Sequence, residues 1–411
     1  MSEISMKRIL IVDENQVVGY TGGAEKIICE LANVLSQRGY KMAILCMNKE
    51  KGLPWHPLDE TVDFFNLAHE QGGNPFTSLS WQWQRAKREL LRALGGKELK
   101  IGSRKFSDPK RKYIEDIFSK RLQHRIREWQ PDVILSIDAD SAYIALSALA
   151  GKDIPVISMY HGNPLDIQGD KGRIKSIWQR CAAVQVLQDR FIPMLESWKI
   201  PKLVSIPNPV TQVPVEYLEK RRANLESQEK HRIVTVGRLE GSGKRQHLLL
   251  EAFSRLAAEF PEWELYLYGA ADNRRFAKKC QQFVRKQNLN QQIVFAGTVK
   301  DIFAAYEQAD IFAFPSRIEG FGLALCEAMS AGVPVVVYRE CYPDDTIVKH
   351  GEMGWRCDDG VEALAQSLKQ LMLDSQLREQ MGEAGHRHME NFAPEFVWDK
   401  WQRLIEEVAH V

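Results

Sequence analysis

Long apolar runs are missing from this chain. Nowhere in its 411 residues does an uninterrupted hydrophobic stretch approach the roughly 18 residues that a bilayer span needs, so any contact with a membrane is expected to be peripheral. Paired cysteines are missing too. The seven present (Cys29, Cys46, Cys181, Cys280, Cys326, Cys341, Cys357) are odd in number, scattered and without CxxC spacing, which points away from a zinc site or a disulfide framework. Reduced, mostly buried thiols in a cytoplasmic protein are the expectation. Excess charge of either sign is also absent: 55 Lys and Arg against 54 Asp and Glu leave +1, which offers nucleic acid no global attraction. The opening MSEISMKRILIVDE sets a very short apolar run directly before an acid, the pattern of a buried strand and not of an export signal.

What is present fits a soluble globular protein, with 44% hydrophobic and 27% charged residues, and the length suggests two large domains. Strands are predicted at Arg8 to Val12, Lys41 to Cys46, Val62 to Phe65, Asp132 to Ile137 and Pro155 to Met159. Between the first two, Ile27, Ile28, Leu31 and Leu35 recur at helical spacing and Gly39 supplies the stop. That βαβ unit implies a parallel sheet covered by helices. After SIPNPV at 205–210, the polar stretch TQVPVEYLEKRRANLESQEKH lacks an apolar period and reads as an interdomain linker. The alternation then resumes with RIVTVG, WELYLYG, QIVFAG, DIFAFPS and PVVVYR. The fold class is therefore α/β, with two doubly wound, Rossmann-like domains facing a cleft: residues 1–205, then 206–390, with a last helix (391–411) expected to pack back on the first domain.

One region interrupts the first domain, at 70–127. From Arg85 to Arg127 fifteen basic residues stand against five acidic ones, a local +10 in a chain whose total is +1. A solvated helical face is the ordinary fate of such a run, and no nucleic-acid module accompanies it. With Trp81 and Trp83 on the same segment, an anionic membrane surface or an acidic acceptor, met through 81–127, is the favoured functional reading.

Two motifs carry chemistry. In PSRIEGFGLALCEAMSAGVPVVV (315–337) a strand delivers Pro315 and Ser316, a glycine turn holds Glu319, Gly320 and Gly322, and a helix begins at Leu323. The first amides of a helix are unpaired donors and seat a diphosphate or sugar oxygens, with Glu319 and Glu327 reaching along one ligand at different depths. Taken alone this is equally a helix start with a dipole-favoured acid and an unrelated glutamate. In VGRLEGSGKRQHLLLEAF (236–253), Arg238 leaves a strand and Lys244 follows a flexible Glu240–Gly243 stretch, so two cations at a sheet edge are available to clamp a pyrophosphate. A solvated loop is the alternative. It is no P-loop, because GxxxxGK[ST] fails at Arg245.

Gly237-Arg238 followed by Lys244, with Glu319 and Glu327 in E-x7-E spacing, resembles family 4 of the retaining glycosyltransferases, which have the GT-B fold. GGAE at 22–25 is similar to the family's N-terminal glycine loop, and IPNPV at 206–210 to its interdomain IPNGV. The resemblance implies that Arg238 and Lys244 bind a donor diphosphate and that Glu327 takes the ribose hydroxyls. Glu319 and the amides of Gly320, Phe321 and Gly322 would hold the donor sugar, and Gly22 and Gly23 would bring backbone to the phosphates. His161, in SMYHGNP, resembles a histidine beside the reacting sugar. The implied activity is hexosyl transfer with retention from a nucleotide diphosphate sugar such as a UDP-sugar. The acceptor would be a glycan, lipid-linked or cell-surface polymer, and no metal or other cofactor is expected. A nucleotide-sugar hydrolase or epimerase and a non-catalytic partner subunit are the rival readings.

Two departures from the family stand out. Lys244 lies one residue farther from Arg238 than is common, and YRECYPDD (338–345) replaces a small-residue turn ending in Pro-Glu. Asp138-Ala-Asp140 has the D-x-D form of a metal motif in another transferase architecture, but its place at a strand-to-helix turn of the first half favours a helix cap by Asp140.

Overall fold

The computed structural model describes residues 7–15, 17–20, 22–70, 73–96, 100–101, 104–105, 108–167, 170–271 and 273–409. They form two compact units, the first running to Ile206 and resuming at Trp398, the second spanning Pro207–Val397.

The first unit is built on seven parallel strands: β1 (Arg8–Asp13), β2 (Lys41–Cys46), β3 (Asp63–Asn66), β4 (Val133–Ser136), β5 (Val156–Tyr160), β6 (Ala183–Val186) and β7 (Leu203–Ser205). Their order is β3-β2-β1-β4-β5-β6-β7. Ile9 to Val12 are buried on both faces of β1, which is why they read as one unbroken apolar run and not as an alternation. Helix α1 (Gly23–Gln37) lays Ile27, Ile28, Leu31 and Leu35 on the sheet. The interrupting region supplies α2 (Leu79–Gly95) and α3 (Pro109–Trp129), and α3 buries Phe118, Leu122 and Ile126. Lys97 and the side chains of Lys100, Arg104 and Lys105, part of the basic run, lie outside the described residues. Helix α4 (Ala139–Ala148) follows β4.

The second unit repeats the plan in six parallel strands: β8 (His231–Val236), β9 (Trp263–Tyr268), β10 (Ile293–Gly297), β11 (Ile311–Phe314), β12 (Val335–Tyr338) and β13 (Gly354–Cys357), ordered β10-β9-β8-β11-β12-β13. Each sheet thus begins with the same order, third strand to first and then fourth onward, the Rossmann arrangement. The unit's core packs Ile233, Trp263, Leu265 and Ile311 against Leu249, Phe253, Leu364 and Leu368.

Three expectations need correction. The supposed linker contains α5 (Val215–Ser227), which docks on the second unit through polar groups. Tyr217 donates to the Phe303 carbonyl at 2.7 Å, Arg221 to the Ala309 carbonyl at 2.6 Å, and Lys220 and Asn224 to the Glu307 carboxylate at 2.9 and 2.5 Å. A helix held this way has no apolar period to announce it. Second, β6, β7 and β13 join the sheets at positions the reading passed over. Third, the cap of α4 is Asp138, which accepts from the Ser141 amide at 2.7 Å; Asp140 instead pairs with Arg173 at 2.7 Å and with Arg111.

The last helix, α7 (Pro394–Ala409), belongs to the first unit from Trp398 onward. There Asp399 meets Arg38 at 2.8 Å and Glu406 accepts from Tyr40 at 2.6 Å.

Candidate functional site

In the second sheet β8 and β11 are neighbours from which the chain continues in opposite directions, so a crevice opens beyond their carboxyl ends. The β8 end leads through Gly237 and the exposed Arg238 into the loop that carries Lys244. That loop is organised around one carboxylate. Glu240 accepts from Ser242 Oγ at 2.8 Å, the Gly243 amide at 2.8 Å and the Lys244 amide at 2.7 Å. Burial pushes its pKa upward, but these hydrogen bonds and the Lys244 charge outweigh burial and hold it below the usual carboxylate range.

Arg245 then bolts the loop to the sheet. Left-handed at φ 49°, it donates from Nε to the Pro315 carbonyl at 3.1 Å and from Nη1 to both oxygens of Asp359, at 2.8 and 3.0 Å, with its guanidinium 4.7 Å from the Tyr338 ring centre. The Arg317 amide donates to the Gly243 carbonyl at 2.9 Å, a second tie between the two strand ends.

The consequence is where Lys244 points. Its stem passes over Gly237, where an added Cβ would stand 3.4 Å from the lysine Cδ, and its Nζ reaches Glu319 Oε1 at 2.6 Å.

On the β11 side Glu319 opens the turn to α6 (Leu323–Ser330), the helix that Gly322 starts without a side-chain cap. Gly322 is held at φ 86°, and a Cβ there would collide with the Tyr342 hydroxyl at 2.0 Å. That hydroxyl donates to the Phe321 carbonyl at 3.2 Å, while Arg356 fastens the Tyr342 carbonyl at 3.2 Å and Asp345 at 2.5 Å. The departure at 338–345 therefore builds the support under the glycine turn. Glu327 is buried one turn into α6, and its charge adds to burial in raising the pKa of Tyr306 and Cys326.

The structure thus brings Lys244 and Glu319 together, sets Gly320, Phe321 and Gly322 in the same turn, and leaves Arg238 at the mouth of the neighbouring loop. Sequence reasoning missed Glu240, Arg245, Tyr342 and Asp359. A glutamate three residues before Gly243 was a readable turn signal; the others act across sequence separations that no local pattern exposes.

The remaining predicted residues belong to the first unit. Gly22 starts α1 with the Glu25 carboxylate folded against it, so close that an added Cβ would lie 2.0 Å from Glu25 Oε2; Gly23 follows, exposed. His161 leaves the end of β5 with both ring nitrogens buried and unpartnered among the described residues. Burial draws its pKa down to about 4, so the ring is neutral at neutral pH. At the end of β1, burial raises Asp13 to about 8 and Glu14 to about 9, each helped by the charge of Asp138.

Residues 21–211 match Glycosyltransferase Family 4, and residues 217–388 match Glycosyl transferases group 1. The chain belongs to the family 4 glycosyltransferases. An uncharacterized glycosyltransferase of Haemophilus influenzae is 23% identical over 94% of this chain and 97% of its own length. The capsular polysaccharide biosynthesis glycosyltransferase CapM of Staphylococcus aureus is 28% identical over 41% of this chain, which spans 44% of that relative. Among solved structures, Anabaena Alr3699/HepE in complex with UDP and glucose superposes with a TM-score of 0.71 over 99% of this chain and 100% of its own, at 17% identity. The likeness is one of fold, the two-sheet GT-B architecture. Among the described residues no helix is long and apolar enough to cross a membrane.

Proposed function

We propose that this transferase moves a hexosyl group, with retention of anomeric configuration and without a metal, from a nucleotide diphosphate sugar to a glycan, lipid-linked or cell-surface polymer in the cytoplasm. The observation that carries the reading is the 2.6 Å pair of Lys244 and Glu319 at the β8–β11 switch point, beside a helix start whose cap brings no side chain. Breaking a glycosyl phosphate bond leaves the nucleoside diphosphate with one further negative charge on its terminal phosphate. A fixed ammonium, a neighbouring guanidinium at Arg238 and the turn amides of Gly320 to Gly322 stabilise charge that develops there. Glu319, released from Lys244 when the lysine turns to phosphate, accepts from sugar hydroxyls, and Glu327 serves the ribose. The acceptor oxygen forms the new bond to the anomeric carbon as the phosphate oxygen departs and takes the acceptor's proton. Gly22, Gly23 and His161 enter on the family resemblance. A UDP donor accords with the UDP and glucose of Alr3699/HepE, and a cell-surface polymer with the capsular role in the name of CapM.

The test is product analysis with UDP-, GDP- and ADP-sugars and a panel of glycan acceptors. A glycoside with the donor's anomeric configuration, formed in EDTA and reduced about 100-fold or more in Glu319→Gln, is the expected result. Free sugar or an isomerised donor without glycoside would make the enzyme a hydrolase or epimerase. Turnover lost in EDTA and restored by manganese would return the metal reading.

A further inference from the structure

Helix α2 turns its apolar face away from the protein. Leu79, Trp83, Leu90 and Leu94 are 77%, 76%, 61% and 65% exposed. At about 100° per residue they fall within an arc of about 60°, with Ala86 beside them. The side that packs is the opposite one. Trp81 is buried there, its ring 5.4 Å from Phe76 and 6.0 Å from Tyr113 with Lys110 5.0 Å over it, and Arg88 meets Asp108 at 2.8 Å. Trp81 and Trp83 therefore do not share a face: one anchors the helix and the other is presented outward.

Among the described residues this stripe of three leucines and a tryptophan stays mostly exposed, and it leaves apolar area in water. Its setting selects the occupant. Lys87, exposed, borders the stripe next to Leu94, and the segment from Arg85 to Arg127 carries +10. A second copy of the chain would bring two such segments face to face, so like charges oppose self-association. An anionic bilayer accepts both features at once: leucine and tryptophan side chains enter the headgroup boundary while lysine and arginine stay at the phosphates.

We propose that α2 seats this protein on an anionic lipid surface through Leu79, Trp83, Leu90 and Leu94, with Lys87 at the border of the stripe. The proposal stands apart from the donor site and does not depend on the sugar transferred.

Co-sedimentation of the full chain with vesicles tests it. One set contains phosphatidylglycerol and phosphatidylcholine in equal parts and the other phosphatidylcholine alone. Wild type is expected to pellet with the first at low salt and to remain free with the second. The double variant Trp83→Ser with Leu90→Glu, which touches only outward side chains, is expected to keep the wild-type melting temperature and to lose at least tenfold in partitioning; Lys87→Glu should lose less. Failure of wild type to bind anionic vesicles, or equal binding by the double variant, would overturn the proposal. A wild-type dimer in sedimentation velocity that the double variant converts to monomer, with no vesicle binding, would assign the stripe to a second copy instead.

Discussion

Lys244 and Glu319 neutralise one another at 2.6 Å, but neither holds that position alone. The lysine is aimed by its neighbour: Arg245 ties the loop to Pro315 and Asp359 with three hydrogen bonds, a geometry that needs a planar fork and not merely a positive charge. Arg245→Lys is accordingly expected to lower kcat/KM for the donor by about tenfold, roughly 1.4 kcal/mol, while the acceptor KM stays put; steady-state kinetics with each substrate varied would show it, and an unchanged donor term would remove Arg245 from its positioning role. His161 makes a prediction in pH. Its folded pKa, drawn by burial from 6.5 to about 4, means the unfolded chain binds the proton more readily. Stability tied to the neutral ring is complete above pH 6.5 and is lost as the pH falls toward 4, by roughly 3 kcal/mol at most. The melting temperature of His161→Gln should therefore fall less than that of wild type between pH 7 and pH 4.5. Parallel curves would show that the ring is not buried in its neutral form. These residue-scale facts also mark what the sequence could reveal. Glu319, Lys244 and the glycine turn are written in short motifs whose chemistry is local. Arg245 and Asp359 stand 114 residues apart and Tyr342 stands 21 from Phe321, so their pairing exists only once β8, β11, β12 and β13 lie side by side.

Among the elements, the strands were legible wherever burial on both faces forced a continuous apolar run, as in Ile9 to Val12 and Val335 to Val337. β13 was not, because Gly354-Trp355-Arg356-Cys357 buries an arginine whose terminal nitrogens pair with the Tyr342 carbonyl and Asp345. Helix α5 failed for the related reason that its docking is polar. The Arg221 guanidinium is buried against the Ala309 and Tyr306 carbonyls, and desolvation lowers its pKa to about 10. Removing it leaves the Ala309 carbonyl without this partner, so Arg221→Ala should destabilise the second unit by about 2 kcal/mol, read as a lower midpoint in urea without a change in slope. A midpoint equal to wild type would mean that α5 is held by its other contacts. The glycine turn before α6 is more demanding still: any side chain at position 322 must displace the buried Tyr342 hydroxyl and adopt a left-handed backbone.

At the scale of the whole molecule, one sheet plan is used twice, and the chain leaves the first unit at Pro207 and returns to it at Trp398. The proposed donor residues Arg238, Lys244, Glu319 and Glu327 belong to the second unit, so a donor that binds only its folded form should protect that unit first. Hydrogen exchange with a saturating nucleotide diphosphate sugar is expected to slow amides at 237–245 and 317–327; protection confined to the first unit would place the donor elsewhere. The central claim is the grip of Lys244 and Glu319, and calorimetric titration of the donor into wild type, Lys244→Met, Glu319→Gln and the surface control Lys349→Met tests it most directly. Weakening of at least about tenfold in both site variants, with the control unchanged, is the predicted result. Affinity equal to wild type in Lys244→Met and Glu319→Gln would contradict it.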